Sequence, residues 1–350
     1  MSRKKANCEA KVIRPLIMCL YIACLSAFGQ ANAEKSKTIS QSEFEEIFSE
    51  VKNWGRWGQK DQLGTVNFIS DRQVANAADL VKLGLTVSLA NDLNKVEDIN
   101  NTNFSPLPLP KLAGPFVQKT FSFPTAHDDV TGALDRFEIF HHGFAHSHLD
   151  GLAHFSWKGK IYNGFHFEIV KDQLTQLGIE QIGEKGLISR GILVDFPRFK
   201  NVSYLQPGQL ITIDDFLLWE KRTGLKLKKG DILLIRTGRW KAVEDLDEWQ
   251  FSTLAAGIHP TVAKLLHERE IAVIGCDGVS DRNPSSVDGI SDPFHILSLV
   301  AMGMPILDNL NLEEISEIAD RTKRYTFMFT GAPLRAKGAS GSPMNPIAVF

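Results

Sequence analysis

The chain has 350 residues, of which 43% are hydrophobic and 23% charged, enough apolar material to bury one large domain or two intimate ones. Its 39 basic and 41 acidic residues give a formal net charge of −2, which argues against a nucleic-acid partner and against an anionic membrane surface. Four cysteines, three of them within the first 24 residues, exclude a disulfide framework for the remainder.

Residues 1–14 carry Arg3, Lys4, Lys5, Lys11 and Arg14 against the single acid Glu9. An apolar run follows from Pro15 to Gly29, and Ala31 and Ala33 then form an A-x-A site. Basic start, apolar stretch and small residues at the cut are the three parts of a secretory signal peptide. The expectation is therefore a signal over 1–33, cleavage after Ala33, and export to the periplasm or the medium. The apolar run is shorter than the ~20 residues that span a bilayer, which disfavours an anchor. Tyr21, where a lipobox prefers Leu, disfavours lipidation at Cys24. No later stretch is long and apolar enough to span, so no membrane partner is expected after cleavage. Cleavage leaves 34 basic and 40 acidic residues, a net charge near −6, and Cys276 alone among the cysteines.

Residues 34–50 read as a polar leader running into a short helix, and 51–350 as one domain. Trp54–Ser70, dense in Gly and Trp, reads as an ordered loop. The helical spacing of 71–84 begins on Asp71 and ends on Gly84. Residues 99–115, rich in Pro and Asn, form an exposed loop. Three runs, 191–196, 231–238 and 271–277, are apolar, β-branched and closed by turn residues, as buried strands are. Between them 211–224 and 259–270 have helical periodicity. This alternation indicates an α/β domain. The strand-like end of the chain is expected to be tied into the sheet.

Half of the ten histidines fall within 137–160: His141, His142, His146, His148 and His154. In an extended strand His146, His148 and Asp150 point to the same face. Gly151 allows a change of direction, and a helical turn then returns His154 to the side of Asp150. Imidazoles plus a carboxylate, without thiolate, suit Zn²⁺, Mn²⁺ or Fe²⁺. An open position on such a metal lowers the pKa of a bound water toward ~7. A surface loop that happens to be rich in histidine is the plainer alternative, and four donors in this order on one face weigh against it. His141 and His142 are expected to hydrogen-bond to the site or orient it.

On these residues, and over most of 50–350, the sequence resembles the cyclase family, which includes bacterial kynurenine formamidase and isatin hydrolase and carries the motif H-x-G-T-H-x-D-x-P-x-H. His148, Asp150 and His154 match its second His, its Asp and its last His; Ser147 stands for the Thr and Leu152 for the Pro. The first His of the motif falls on Phe144 and the Gly on His146, so His146 is expected to supply the lost ligand from a neighbouring position. Further segments resemble the family in the same order: Trp54–Asn67, 275–281, 295–315 and the ending 341–349. The resemblance implies that His148 and Asp150 bind metal and that His154 is a ligand or a catalytic base. It maps His295 onto a distal metal-site His and places Asp308 where the family usually has Glu. It also implies that Trp54 and Trp57 cap the pocket.

The expected fold is thus a single α/β domain with a central mixed sheet closed toward a barrel and flanked by helices, of the swivelling β/β/α type. The expected activity is metal-dependent hydrolysis of a small amide, lactam or ester, with Zn or Mn as one or two ions per chain. The candidate ligands are His146, His148, Asp150, His154, His295 and Asp308, and the candidate catalytic groups His154 and His295. The expected partners are a small-molecule substrate and further copies of the chain, in a homodimer or higher oligomer. Export makes a dedicated role in cytoplasmic tryptophan breakdown less natural. Two rivals stand beside this reading: nucleophilic catalysis by Cys276, which ends an apolar strand where a buried inert thiol is commoner, and an exported metal- or ligand-binding protein that has lost catalysis.

Overall fold

A computed structural model describes residues 38–93, 116–124, 129–167, 174–247 and 249–350. The expected signal over 1–33, the start of the expected leader and the expected 99–115 loop fall outside the described residues. No helix among the described residues is long and apolar enough to cross a membrane.

The body is a mixed nine-stranded sheet, curled into a half-barrel, with strand order β1-β13-β11-β5-β7-β9-β10-β4-β12. Its strands are β1 (Thr86–Ser88), β4 (His148–Asp150), β5 (Leu187–Asp195), β7 (Ile232–Arg236), β9 (Val273–Cys276), β10 (Ile306–Asp308), β11 (Thr326–Gly331), β12 (Gly341–Pro343) and β13 (Ile347–Val349). The centre, β5-β7-β9-β10, is parallel, and the flanking pairs are antiparallel. Two small ribbons complete the set: β2 (Phe116–Pro124) with β3 (Thr131–Ile139), and β6 (Leu210–Ile211) with β8 (Gly257–Ile258).

The unbroken apolar runs of the central strands follow from burial on both faces. Ile192, Val194, Leu233, Ile235 and Ile274 face one core layer, which is closed by Phe44, Phe216, Trp219, Val262 and Leu297. Their alternates Leu193, Ile232, Leu234 and Val273 face a second layer with Ile315, Phe327, Phe329 and Phe350. The expected strands stand as β5, β7 and β9, and the chain's end is held between β1 and β11 as β13.

Helix starts are set by side-chain caps. Ser40 with Glu43 and Thr212 with Asp215 form capping boxes for helices Gln41–Val51 and Ile213–Thr223. The first of these helices buries Phe44, Ile47 and Val51, so the end of the expected leader is part of the domain core. Helix Asp71–Ala78 stops six residues before the expected Gly84, because Leu83 and Gly84 donate their backbone N–H groups to Phe350 O instead.

Leu234 lies fully buried on the central strand β7. Leu234→Ala is expected to lower unfolding free energy by about 2–5 kcal/mol, read from urea denaturation midpoints at unchanged slope.

Candidate metal centre

Strand β4 lies antiparallel between β10 and β12, with His148 opposite Asp308 and Asp150 opposite Ile306 and Gly341. Residues facing one another across an antiparallel pair share a side of the sheet. His148, Asp150 and Asp308 therefore share a side with Ile306, while Leu149 and Leu307 turn to the opposite core layer. His295 arrives from the helix Pro293–His295, which runs on as the π-helical segment Ile296–Met302. Asp281, beyond the end of β9, caps that helix. Its Oδ1 accepts from Phe294 N (2.6 Å) and its Oδ2 from His295 N (3.0 Å). The same Oδ2 lies 2.5 Å from His295 Nδ1, which leaves Nε2 facing inward.

Asp150, buried, is the hub. Its Oδ1 lies 2.8 Å from His142 Nδ1, 3.3 Å from His148 Nε2 and 3.7 Å from His154 Nε2. Its Oδ2 lies 3.4 Å from His295 Nε2, and Asp308 Oδ2 is 3.4 Å from that same nitrogen. Two groups of donor atoms, each within 4.8 Å of one another, result: His142, His148 and Asp150, and Asp150, His295 and Asp308. Asp150 belongs to both. His148 Nδ1 donates to His146 O at 2.7 Å, which fixes the tautomer and aims the Nε2 lone pair at the hub. His142 reaches the hub because Gly341 leaves room, since a Cβ there would stand 2.6 Å from its Cε1. Its Nε2 is 3.1 Å from Ser340 Oγ, and its ring lies flat on that of His154 at 3.9 Å.

The charges interlock. Burial favours a protonated Asp150, yet His154 and His148 beside it hold its carboxyl well below the usual range. Burial opposes charge on His295, but the carboxylates of Asp150, Asp281 and Asp308 outweigh it and hold that imidazole well above its ordinary value. His148 is raised for the same reason, with Asp150 the main counterweight to burial. Burial pulls His154 down to about 3, and His141 likewise. Burial also raises Asp281.

This donor set fits a divalent cation. Among the described residues no lysine or arginine pairs with Asp150 or Asp308, and Asp308 Oδ1 is buried without a partner. Two buried carboxylates with unshared lone pairs, ringed by imidazoles, call for a positive charge between them.

The structure brings His148, Asp150, His295 and Asp308 together, with His154 beside them. His146 does not join either group. The strand begins only at His148, so the extended alternation that was to carry His146 onto the same face is absent. Its ring instead meets Phe116 edge-on, its Nε2 is buried without a partner, and burial lowers its pKa. His142, expected only to support the site, stands in the ligand group. Asp281 and Ser340 were not singled out. Asp281 was legible only as the second acid of the 275–281 segment, and Ser340 carried no local signal.

Trp54 and Trp57 lock a loop rather than cap the centre: Trp54 Nε1 donates to Val300 O at 2.7 Å, and Trp57 packs edge-on against Phe68. Cys276 is buried among core side chains, and burial, reinforced by Asp308, raises its thiol pKa well above the ordinary value, the reverse of what a nucleophile needs.

No curated protein matches the chain in sequence. Among solved structures, a protein described as a novel cyclase is 29% identical, covers 86% of this chain and 100% of its own, and superposes with a TM-score of 0.74. Isatin hydrolase A from Ralstonia solanacearum is 22% identical over 75% of this chain and 91% of its own, with a TM-score of 0.52. Isatin hydrolase A from Labrenzia aggregata, bound to benzyl benzoate, is 18% identical over 79% of this chain and 97% of its own, with a TM-score of 0.51. These last two share the fold. The family described as putative cyclase matches residues 84–281, more than half of the sequence, and the chain belongs to that family.

Proposed function

We propose that this cyclase-family chain is a metal-dependent hydrolase that cleaves a small amide, lactam or ester bond. The observation that carries this reading is the sharing of Asp150, whose two carboxylate oxygens face the two donor groups, with Asp308 Oδ1 left over. His142 and His148 would hold one Zn²⁺ or Mn²⁺ with Asp150, and His295 and Asp308 a second with the same carboxylate. When bound, such an ion polarises a carbonyl and acidifies water toward neutral pH.

The chain's own groups do the rest. His154, 23% exposed at its side chain and with Nε2 3.7 Å from Asp150 Oδ1, is placed to pass a proton to or from a bound substrate. Its stacking on His142 keeps that nitrogen beside Asp150. Asp281 fixes the ring of His295 and strengthens it as a donor. Phe155, 4.9 Å from the rings of both His154 and His295, gives an apolar wall against which an aryl or acyl group can lie. The fold shared with isatin hydrolases supports a lactam or aryl amide as the first substrate class to try. The basic, apolar and small-residue pattern of 1–33 supports export of the enzyme, and further copies of the chain are its expected partners.

The metal content of the purified protein should be one or two Zn or Mn per chain. His148→Ala and Asp150→Ala should each lose it, together with hydrolysis across a panel of aryl formamides, lactams and esters. Metal bound with no hydrolysis of any panel member would leave a binding protein, and no uptake of either ion would remove the metal centre altogether.

A second test concerns charge. In the metal-free protein three carboxylates raise the pKa of His295, so Asp281→Asn, which removes one of them, should lower it. Because the folded-state pKa is raised, His295 stabilises the metal-free fold at low pH, and that contribution is lost as pH rises through the folded pKa. In Asp281→Asn the loss should begin at lower pH. NMR titration of the His295 ring checks the shift, and an unchanged midpoint would reject the assigned role.

A further inference from the structure

Arg239, the first residue of helix Arg239–Asp245 after β7, is only 2% exposed and makes no ion pair with a carboxylate among the described residues. Its guanidinium lies 3.7 Å from the ring of Phe251 and 4.4 Å from that of Trp240. Burial prevails and lowers its pKa to about 10, because Asp277 and Asp308 act on the guanidinium only from beyond contact distance. A buried cation without a contacting carboxylate is costly, and such costs persist where the group serves a purpose that an apolar side chain cannot.

Its hydrogen bonds indicate the purpose. Nη1 donates to Asn309 Oδ1, and Nη2 donates to Phe144 O at 2.6 Å. Asn309 follows Asp308 directly and has left-handed backbone, with φ of 55°. With its Oδ1 taken by Arg239, its amide nitrogen must face the histidine loop. There Nδ2 donates to Gly143 O at 2.7 Å and to His146 O at 3.1 Å. Asn309 O in turn accepts from Ser147 Oγ at 2.7 Å. His146 O is also the acceptor that fixes His148 Nδ1. The ring of Phe144 meets Phe251 edge-on at 5.6 Å, under the same guanidinium. The loop 143–147, which separates His142 from His148, is thus held at Gly143 O, Phe144 O, His146 O and the Ser147 hydroxyl.

We propose that Arg239 is a positioning residue for the metal centre, fixing the 143–147 loop through Asn309 and the Phe144 carbonyl so that His142 and His148 both reach Asp150. This rests on the metal-centre reading above. It also accounts for Phe144 at the place where the motif has histidine: the residue there is an anchor, and His142, two residues earlier, reaches the hub past Gly341.

The test uses the whole protein with Zn²⁺ and Co²⁺ as probes. Arg239→Met keeps the length of the side chain and removes the fork. Asn309→Asp keeps the volume, tolerates left-handed backbone, and replaces the two Nδ2–H donors with an oxygen that repels Gly143 O and His146 O. Both variants should weaken Zn²⁺ binding about 10–100-fold in chelator competition, as loss of groups that orient ligands does. Both should also change the Co²⁺ absorption bands, which a general loss of stability would not. Arg239→Met added to His142→Ala should weaken Zn²⁺ binding less than it does in the wild-type background. Folded variants with wild-type affinity and bands overturn the proposal while leaving the metal centre standing. Should Arg239→Met fail to fold, Asn309→Asp decides alone, and failure of both to fold assigns the clamp to the core and overturns it too. Wild-type protein that takes up neither ion removes the metal centre and this inference together.

Discussion

A carboxylate cannot be buried in a protein interior without opposite charge or donors gathered around it. Asp150 is such a group, and much of the molecule is arranged to meet its need. Strand β4 supplies it with His148, the loop before β4 supplies His142, the turn after it His154, and the helix Pro293–His295 supplies His295. These groups come from separate segments, so β4 must lie between β10 and β12 and the π-helical segment must lie across them. The rest of the sheet keeps that arrangement rigid, since its parallel strands are sealed on both faces by apolar layers.

The same logic recurs at the carboxyl ends of the parallel strands. Asp195 ends β5 and receives Arg236 from the end of β7, while Glu313 takes the other side of that guanidinium. Asp277, just past β9, accepts from Thr237 N and Oγ1, Gly238 N and Arg239 N. These bonds fix the loops after β7 and β9 and thereby place Arg239 and Asp281. Burial and hydrogen bonding are local at each strand end, and the effect is a common frame that links residues far apart in sequence.

The sheet strands and the flanking helices were legible because the forces that make them are local: apolar runs for strands buried on both faces, capping boxes for helix starts. His148, Asp150 and His154 were legible for the same reason, being set by β alternation and one turn. His142 was not. Whether His142 or His146 reaches Asp150 depends on the path of the 143–147 loop, and that path is set by Asn309 and Arg239, separated from it by 163 to 166 and 95 residues. No spacing rule contains such contacts. The tryptophans of the 54–70 loop were misplaced similarly: density in Trp and Gly marks order, but the acceptor for Trp54 is the carbonyl of Val300, 246 residues away.

Gly341 and Ser340 have a consequence of another kind. They bring the edge strand β12 against His142 across a separation of 198 residues. Contacts so distant in sequence form late, because the intervening chain must first be ordered to bring their ends together. During synthesis the histidine loop therefore leaves the ribosome long before the strand that closes it. The groups around Asp150 thus cannot take up their final arrangement before residues 340 and 341 have been synthesised and paired with β4.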